Sequence, residues 1–171
     1  SSTFYYWLGD SSVNKTYSYS SSAANHNYTF CFSPSDKSVN VNSQVQYSAE
    51  GYPQRNYGNE SLYTNSTSSE ILYLLSSTDG IYTTFQVLSQ AGQPIQGVYS
   101  TAHREISGIW SLVGIGTTGD DGGVTFWVNP DYSHKFTFSK TGFQTKTVTI
   151  TPTQSAYTVY LTSNTTITNV T

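Results

Sequence analysis

The chain has 171 residues, a formal net charge of −3 and only 10% charged residues, whereas 15% of its residues are aromatic. Charged residues are about 25% of an ordinary soluble domain, so hydroxyl and amide side chains must form most of the polar surface. No Lys/Arg cluster is present, which argues against a nucleic-acid partner, because binding to nucleic acid depends on neutralising phosphates. No long apolar run is present either, which argues against a transmembrane helix, because such a helix needs about 20 apolar residues.

In the first half of the chain, short alternating segments separated by turn residues predict six β-strands. They cover residues 4–8, 16–20, 28–32, 39–49, 55–57 and 71–75. We assign residues 1–78 to a first β-sandwich domain that lacks about one strand relative to the second half of the chain.

The second half predicts seven strands and shows no sustained 3.6-residue period. The strands cover residues 83–88, 97–102, 110–117, 124–128, 134–139, 146–151 and 156–162. Seven short strands with turn signals between them are typical of a Greek-key β-sandwich, which we place at residues 79–163. Residues 164–171 follow as a tail rich in β-branched side chains.

Three segments of the first half recur in the same order in the second half. Residues 29–34 recur as 125–130, residues 47–52 as 138–143, and residues 73–76 as 160–163. Such an ordered repeat indicates a tandem duplication of one small domain. The predicted fold class is therefore all-β, with two tandem Ig-like sandwiches, in which Gly51 and Gly142 occupy equivalent turns and Tyr52 and Phe143 pack against their own cores.

The motifs of the second half also resemble a known family. Gln93–Val98, Gly116–Phe126 and Phe136–Phe143 are similar to the carboxypeptidase regulatory-like (transthyretin-like) β-sandwich domain. The resemblance covers residues 81–163 and extends to residues 1–77 only through the internal repeat. It implies a fold in which small residues form turns and aromatic residues fill the core. Such domains occur as accessory modules of peptidases and in surface and adhesive proteins, so the resemblance implies almost no chemistry.

Cysteine and asparagine usage bear on location. Cys31 is the only cysteine, which excludes a disulfide within the chain. Six Asn-x-Ser/Thr sequences are potential glycosylation sites, and they lie at Asn14, Asn27, Asn59, Asn65, Asn164 and Asn169. If these sites carry glycans, the charge-poor surface favours an extracellular, cell-surface or virion location. Alternatively, the Asn-, Ser- and Thr-rich composition produces these sequences by chance. We expect glycans first at Asn59 and Asn65, which flank the turn-like segment 60–64.

No set of residues indicates catalysis or metal binding. His26, His103 and His134 have no second ligand at zinc-binding spacing, and we expect them at the surface. Acidic residues at 120–121, with Asp131, could bind calcium, but the string Gly-Asp-Asp-Gly-Gly is fully explained as a turn. No nucleophile elbow is present. We predict neither enzyme activity nor a metal or other cofactor.

Strand alternation suggests an interaction surface. If Val124, Phe126 and Val128 face the core, Trp127 faces outward, and the repeat gives Cys31 the matching position. An outward tryptophan indicates a contact surface, although a covering loop would explain it equally well.

Two further segments are candidates for strand addition to a neighbouring subunit. One is the tail, which offers Ile167 and Val170, and the other is the N-terminal strand at residues 3–8, which offers Phe4 and Tyr6.

These features predict a non-enzymatic extracellular structural protein, a subunit or segment of a surface filament, stalk or virion decoration. Its partners would be other copies of itself or neighbouring surface proteins. One alternative is a carbohydrate-binding or adhesive module whose tyrosine-rich face recognises glycans. Another is an accessory domain of a larger peptidase.

Overall fold

A computed structural model describes residues 1–8, 15–19, 29, 40–63, 67 and 69–164 of the chain. The described residues form eleven β-strands in three sheets and contain no helix, which confirms the all-β class. The chain divides into two compact units, unit 1 at residues 1–74 and unit 2 at residues 75–171. The predicted boundary, between residues 78 and 79, lies a few residues further along.

The described residues of unit 1 form one four-stranded antiparallel sheet with the order β2-β1-β3-β4. Its strands are β1 (Ser2–Leu8), β2 (Lys15–Tyr19), β3 (Asn40–Ala49) and β4 (Tyr52–Tyr63). The strand predicted at residues 28–32 lies outside the described residues except for residue 29.

Two predictions of secondary structure in unit 1 are wrong. Strand β4 continues through the segment 60–64, which we expected to be turn-like, as far as Tyr63. Its ladder with β3 runs from the Gly51 turn to the pair Asn40–Tyr63, so cross-strand pairing, and not local composition, decides the conformation of residues 60–63.

The second wrong prediction is the strand at residues 71–75, which is irregular. The Tyr73 carbonyl accepts hydrogen bonds from the Tyr47 hydroxyl at 3.0 Å and from Arg55 Nη1 at 2.9 Å. Because side chains supply these donors, the segment does not need a neighbouring strand to satisfy this carbonyl.

Unit 2 contains all seven predicted strands, in two sheets. They are β5 (Ile81–Ser89), β6 (Tyr99–Ile106), β7 (Ile109–Thr117), β8 (Gly123–Val128), β9 (His134–Ser139), β10 (Lys146–Ile150) and β11 (Ala156–Leu161). One sheet has the order β10-β9-β6-β7 and is antiparallel. The other has the order β11-β5-β8, in which β11 runs parallel to β5 and β8 runs antiparallel to it.

The two sheets of unit 2 pack face to face through a cluster of phenylalanines. Phe85 on β5 is fully buried, and its ring centroid lies 4.4 Å from that of Phe136 and 5.3 Å from that of Phe138, both on β9 in the other sheet. Phe126 on β8 lies 6.2 Å from Phe85 and 5.7 Å from Phe136. Burial of Phe126 together with Val124 and Val128 confirms which face of β8 was expected to meet the core.

The internal repeat is visible in the strand order. The order β2-β1-β3-β4 of unit 1 equals the order β7-β6-β9-β10 of unit 2, and every neighbouring pair in both sheets is antiparallel. In both units the repeated glycine lies between the third and fourth strands, in chain order, of the four-stranded sheet, with a positive φ of 74° at Gly51 and 89° at Gly142, a conformation that favours glycine. The repeated aromatic residues Tyr47 and Phe138 are both buried.

The repeat does not extend to two other positions. Tyr52 is 41% exposed, so the expectation that it packs in the core is wrong. It pairs with Ala49 at the turn end of the β3–β4 hairpin, beyond the buried part of the sheet, whereas Phe143 is half-buried and forms a bridge with Ser163. The irregular segment 73–76 has no counterpart of the β11 pairing.

Candidate interaction surfaces

Unit 2 has an open edge between its two sheets, which we call the β10–β11 seam. Strands β10 and β11 each end their own sheet, so one side of each backbone has no strand partner among the described residues. Between them lies a cavity of about 410 Å³ whose apolar lining is provided by Phe85, Val148, Ile150, Tyr157 and Val159. Its rim consists of amide and hydroxyl side chains and one charged side chain, Lys146. This volume lies within the usual range of binding sites, about 300–1,000 Å³.

The strand register explains why this lining is only partly covered. Val148 lies opposite Phe136 in the ladder between β10 and β9, and directly opposed residues point to the same face of a sheet. Val148 therefore faces the interior of the sandwich, as Phe136 does, yet it is only half-buried. Across the seam, the Tyr157 ring stacks on Phe85 at 5.5 Å and is also half-buried. Apolar side chains thus face the interior at an edge that the described residues leave open.

Trp127 faces away from the core, as predicted, but its own unit covers it. The indole Nε1 donates to the Leu75 carbonyl at 3.0 Å, and the ring lies 4.6 Å from that of Tyr82. A Cβ atom at Gly80 would come within 2.5 Å of the indole. The segment that leads into β5 therefore covers Trp127, so a partner protein is not needed to explain this outward tryptophan.

The N-terminal strand cannot supply a free edge. Strand β1 lies between β2 and β3 and pairs with both. The hypothesis that residues 3–8 add as a strand to a neighbouring subunit is therefore wrong. Whether the side chains of Phe4 and Tyr6 contact a partner stays a prediction.

The remaining predicted site residues are distributed as follows. Asn164 is exposed at the end of unit 2, and Asn59 lies within β4 rather than beside a turn. The others lie outside the described residues: Asn14, Asn27, Asn65, Asn169, Cys31, Ile167 and Val170.

An aromatic surface at one hairpin was not found from the sequence. Ser107 and Gly108 have φ values of 53° and 81°, which form the tight turn between β6 and β7. The turn presents Ile109, which is 69% exposed, and Trp110, which is 37% exposed. The Lys135 ammonium lies 4.7 Å from the Trp110 ring centroid, within the range of a cation–π contact. The signal was an Ile-Ser-Gly-Ile turn with apolar residues at both ends.

Two histidines differ from the expected surface positions. His134 is fully buried, with Nδ1 2.8 Å from the Tyr132 carbonyl oxygen and its ring stacked on Phe136. His103 is half-buried opposite Lys135, and burial, followed by the Lys135 charge, lowers its pKa. His26 lies outside the described residues.

The acidic turn has a structural explanation. Asp121 Oδ1 accepts from the Gly123 N–H at 2.8 Å, which fixes the turn before β8. Among the described residues, no group of three or more His, Cys, Asp or Glu is arranged to hold a metal ion. The described part of the chain also contains no helix long and apolar enough to cross a membrane.

Comparisons with protein-family models, with curated proteins and with solved structures found no match to this chain.

Proposed function

We propose that this protein is a non-enzymatic structural subunit of an extracellular assembly, such as a surface filament, a stalk or a virion decoration. The β10–β11 seam is the observation that carries this proposal. Unpaired backbone groups along a strand edge are a template for pairing with another chain, and the apolar lining provides area to bury when they pair. A repeating subunit needs such a contact.

The finer architecture belongs to the same proposal. We take both units to be tandem Ig-like sandwiches related to the carboxypeptidase regulatory-like fold. The shared strand order of the two four-stranded sheets and the two repeated glycine turns support a duplication of this kind.

An extracellular location is supported by the glycosylation sequences. Asn164 is exposed in the described part of the chain, where a transferase could reach it. Surface charge normally limits nonspecific association between proteins, and glycans would compensate for its scarcity here. The intact mass of native material tests this point, since we expect glycans on at least two of the six acceptors, and the mass of the bare polypeptide would remove this argument for an exterior location.

Self-association is the direct test of the proposed function. Sedimentation velocity over a wide range of protein concentrations, combined with electron microscopy of the same samples, should show defined oligomers or filaments of the full chain. A chain that stays monomeric at every concentration would overturn the proposal.

A carbohydrate-binding or adhesive module is the second candidate, and Trp110 is the observation that favours it. Its partly exposed ring, beside Ile109, could stack on a sugar ring. A glycan array discriminates between the two functions. Binding that is lost in Trp110→Ala, by a chain that does not self-associate, would favour the glycan module.

A further inference from the structure

We propose that residues 165–171 of a second copy of this chain add as a β-strand in the β10–β11 seam. This inference rests on the proposed function and names the contact through which the subunits would join. An added strand would use both features of the seam, since its backbone would pair with one of the two strand edges and its side chains would pack on the apolar lining.

The described part of unit 2 ends beside this seam. Gln144 N–H donates to the Thr162 carbonyl at 2.8 Å, and Asn164 N–H donates to the Gly142 carbonyl at 2.9 Å. Gln144 and Thr162 also line the seam. The chain is therefore held beside the end of the seam as far as Asn164.

The direction of the chain favours a second copy as the acceptor. Strand β11 runs along the seam from Tyr157 to beyond Val159 and continues toward Asn164. To enter its own seam, the tail would have to reverse immediately after Asn164. Residues 165–171 contain neither glycine nor proline, the residues that favour tight reversals, and threonine is disfavoured at positive φ. If the tail continued forward, its own seam would stay open to the tail of a second copy.

The composition of the tail suits the seam. Its sequence, Thr-Thr-Ile-Thr-Asn-Val-Thr, is dominated by β-branched side chains and has no charged side chain, so it enters without placing a side-chain charge against the apolar lining. Seven extended residues span about 23 Å, which is slightly longer than the six-residue strand β11. With Ile167 directed inward, its side chain would pack on the half-buried side chains of Val148 and Tyr157.

Disulfide cross-linking tests the contact in the full chain. In a Cys31→Ser background, Val148→Cys places a thiol on the inward row of β10, and Ile167→Cys places one in the tail. Mild oxidation should give a ladder of disulfide-linked multimers on a non-reducing gel. The matched control combines Ile167→Cys with Thr147→Cys, because the Thr147 hydroxyl lies 3.2 Å from that of Thr137 on the outer face of the same sheet. We expect the control to give at least about tenfold less cross-linked product.

A second pair of variants avoids any change in the described strands. Ile167→Asn should weaken self-association by about tenfold or more, because it removes the buried aliphatic group from the contact. Thr168→Asn changes the neighbouring residue, which alternation directs to the opposite face, and should have a much smaller effect. Thermal unfolding of each variant checks that the units remain folded.

The outcomes separate the contact from the function. Monomers that carry an internal disulfide would show that the tail occupies its own seam and would overturn the second-copy contact. Filaments or oligomers that form without a cross-link between the two introduced thiols, and that tolerate Ile167→Asn, would overturn the seam contact while leaving the proposed function intact. Absence of any self-association of the unmodified chain would overturn both.

Discussion

Replacing Phe85 with alanine should strongly destabilise unit 2, because this ring joins its two sheets. Phe85 is fully buried on β5 and contacts Phe136 and Phe138 in the opposite sheet. Truncation of a core phenylalanine to alanine costs about 3–5 kcal/mol. We expect the upper half of this range. The rings around Phe85 belong to two different sheets, and each sheet is held in place by its own hydrogen-bond ladder, so the cavity left by the truncation cannot easily collapse.

Urea unfolding of the full chain, followed by circular dichroism, measures this loss. A domain of this size is stable by about 5–15 kcal/mol, and each kcal/mol lowers the midpoint of thermal unfolding by about 4–8 °C, so a fall of about 20 °C is expected in a parallel thermal experiment. Tyr160→Ala is the control, because Tyr160 lies on the neighbouring strand and is 50% exposed. Its replacement should cost less than about 1 kcal/mol. A similarly small loss for Phe85→Ala would refute the packing of the two sheets through this ring.

Two further predictions concern a turn and a buried hydroxyl. Gly122→Ala should destabilise unit 2 by about 2 kcal/mol or more, because φ is 76° and the new Cβ would lie 2.6 Å from the Val87 carbonyl oxygen. Its control, Gly92→Ala, has a φ of 79° and open space around it, and should cost about 1 kcal/mol. Equal losses of stability in chemical denaturation would show that the close approach at Gly122 is unimportant. Burial raises the pKa of Tyr47 to about 12, although Arg55 opposes the shift. The folded state therefore favours the protonated phenol. The free energy of unfolding should fall by up to about 1.4 kcal/mol per pH unit as the pH rises from 10 to 12. Thermal unfolding of Tyr47→Phe should lack this component, and an identical pH profile for the two proteins would contradict the shift.

Unit 2 was predictable because its strands are short and bounded by turn residues. Gly92 and Gly122 both adopt positive φ between strands, and alternation on β8 correctly placed Phe126 in the core. These signals are local, so a single sequence contains them.

Unit 1 was harder to predict because tertiary pairing decides its elements. The apolar run at residues 71–75 resembles a buried strand, yet Ile71 and Leu74 are exposed, and the Tyr73 carbonyl is bound by side chains that come from β3 and β4. An apolar run does not specify which partner, if any, it will meet.

The seam could not be found from the sequence for a related reason. The alternation of Val148 and Ile150 with Thr147 and Thr149 predicts a strand but not its position at the end of a sheet. Only the ladder with β9 and the sheet order show that these inward positions lie beside an open edge.

The parallel pairing of β5 and β11 has a mechanical consequence. These are the first and last strands in the described part of unit 2, and their six paired positions run from Thr84–Ala156 to Ser89–Leu161. Because the strands are parallel, the start of β5 and the end of β11 lie at opposite ends of their shared ladder. Tension applied between these two points acts along the strands, in shear, so the hydrogen bonds bear the load together instead of opening one by one. Unit 2 is thus arranged to resist being stretched along its own chain direction.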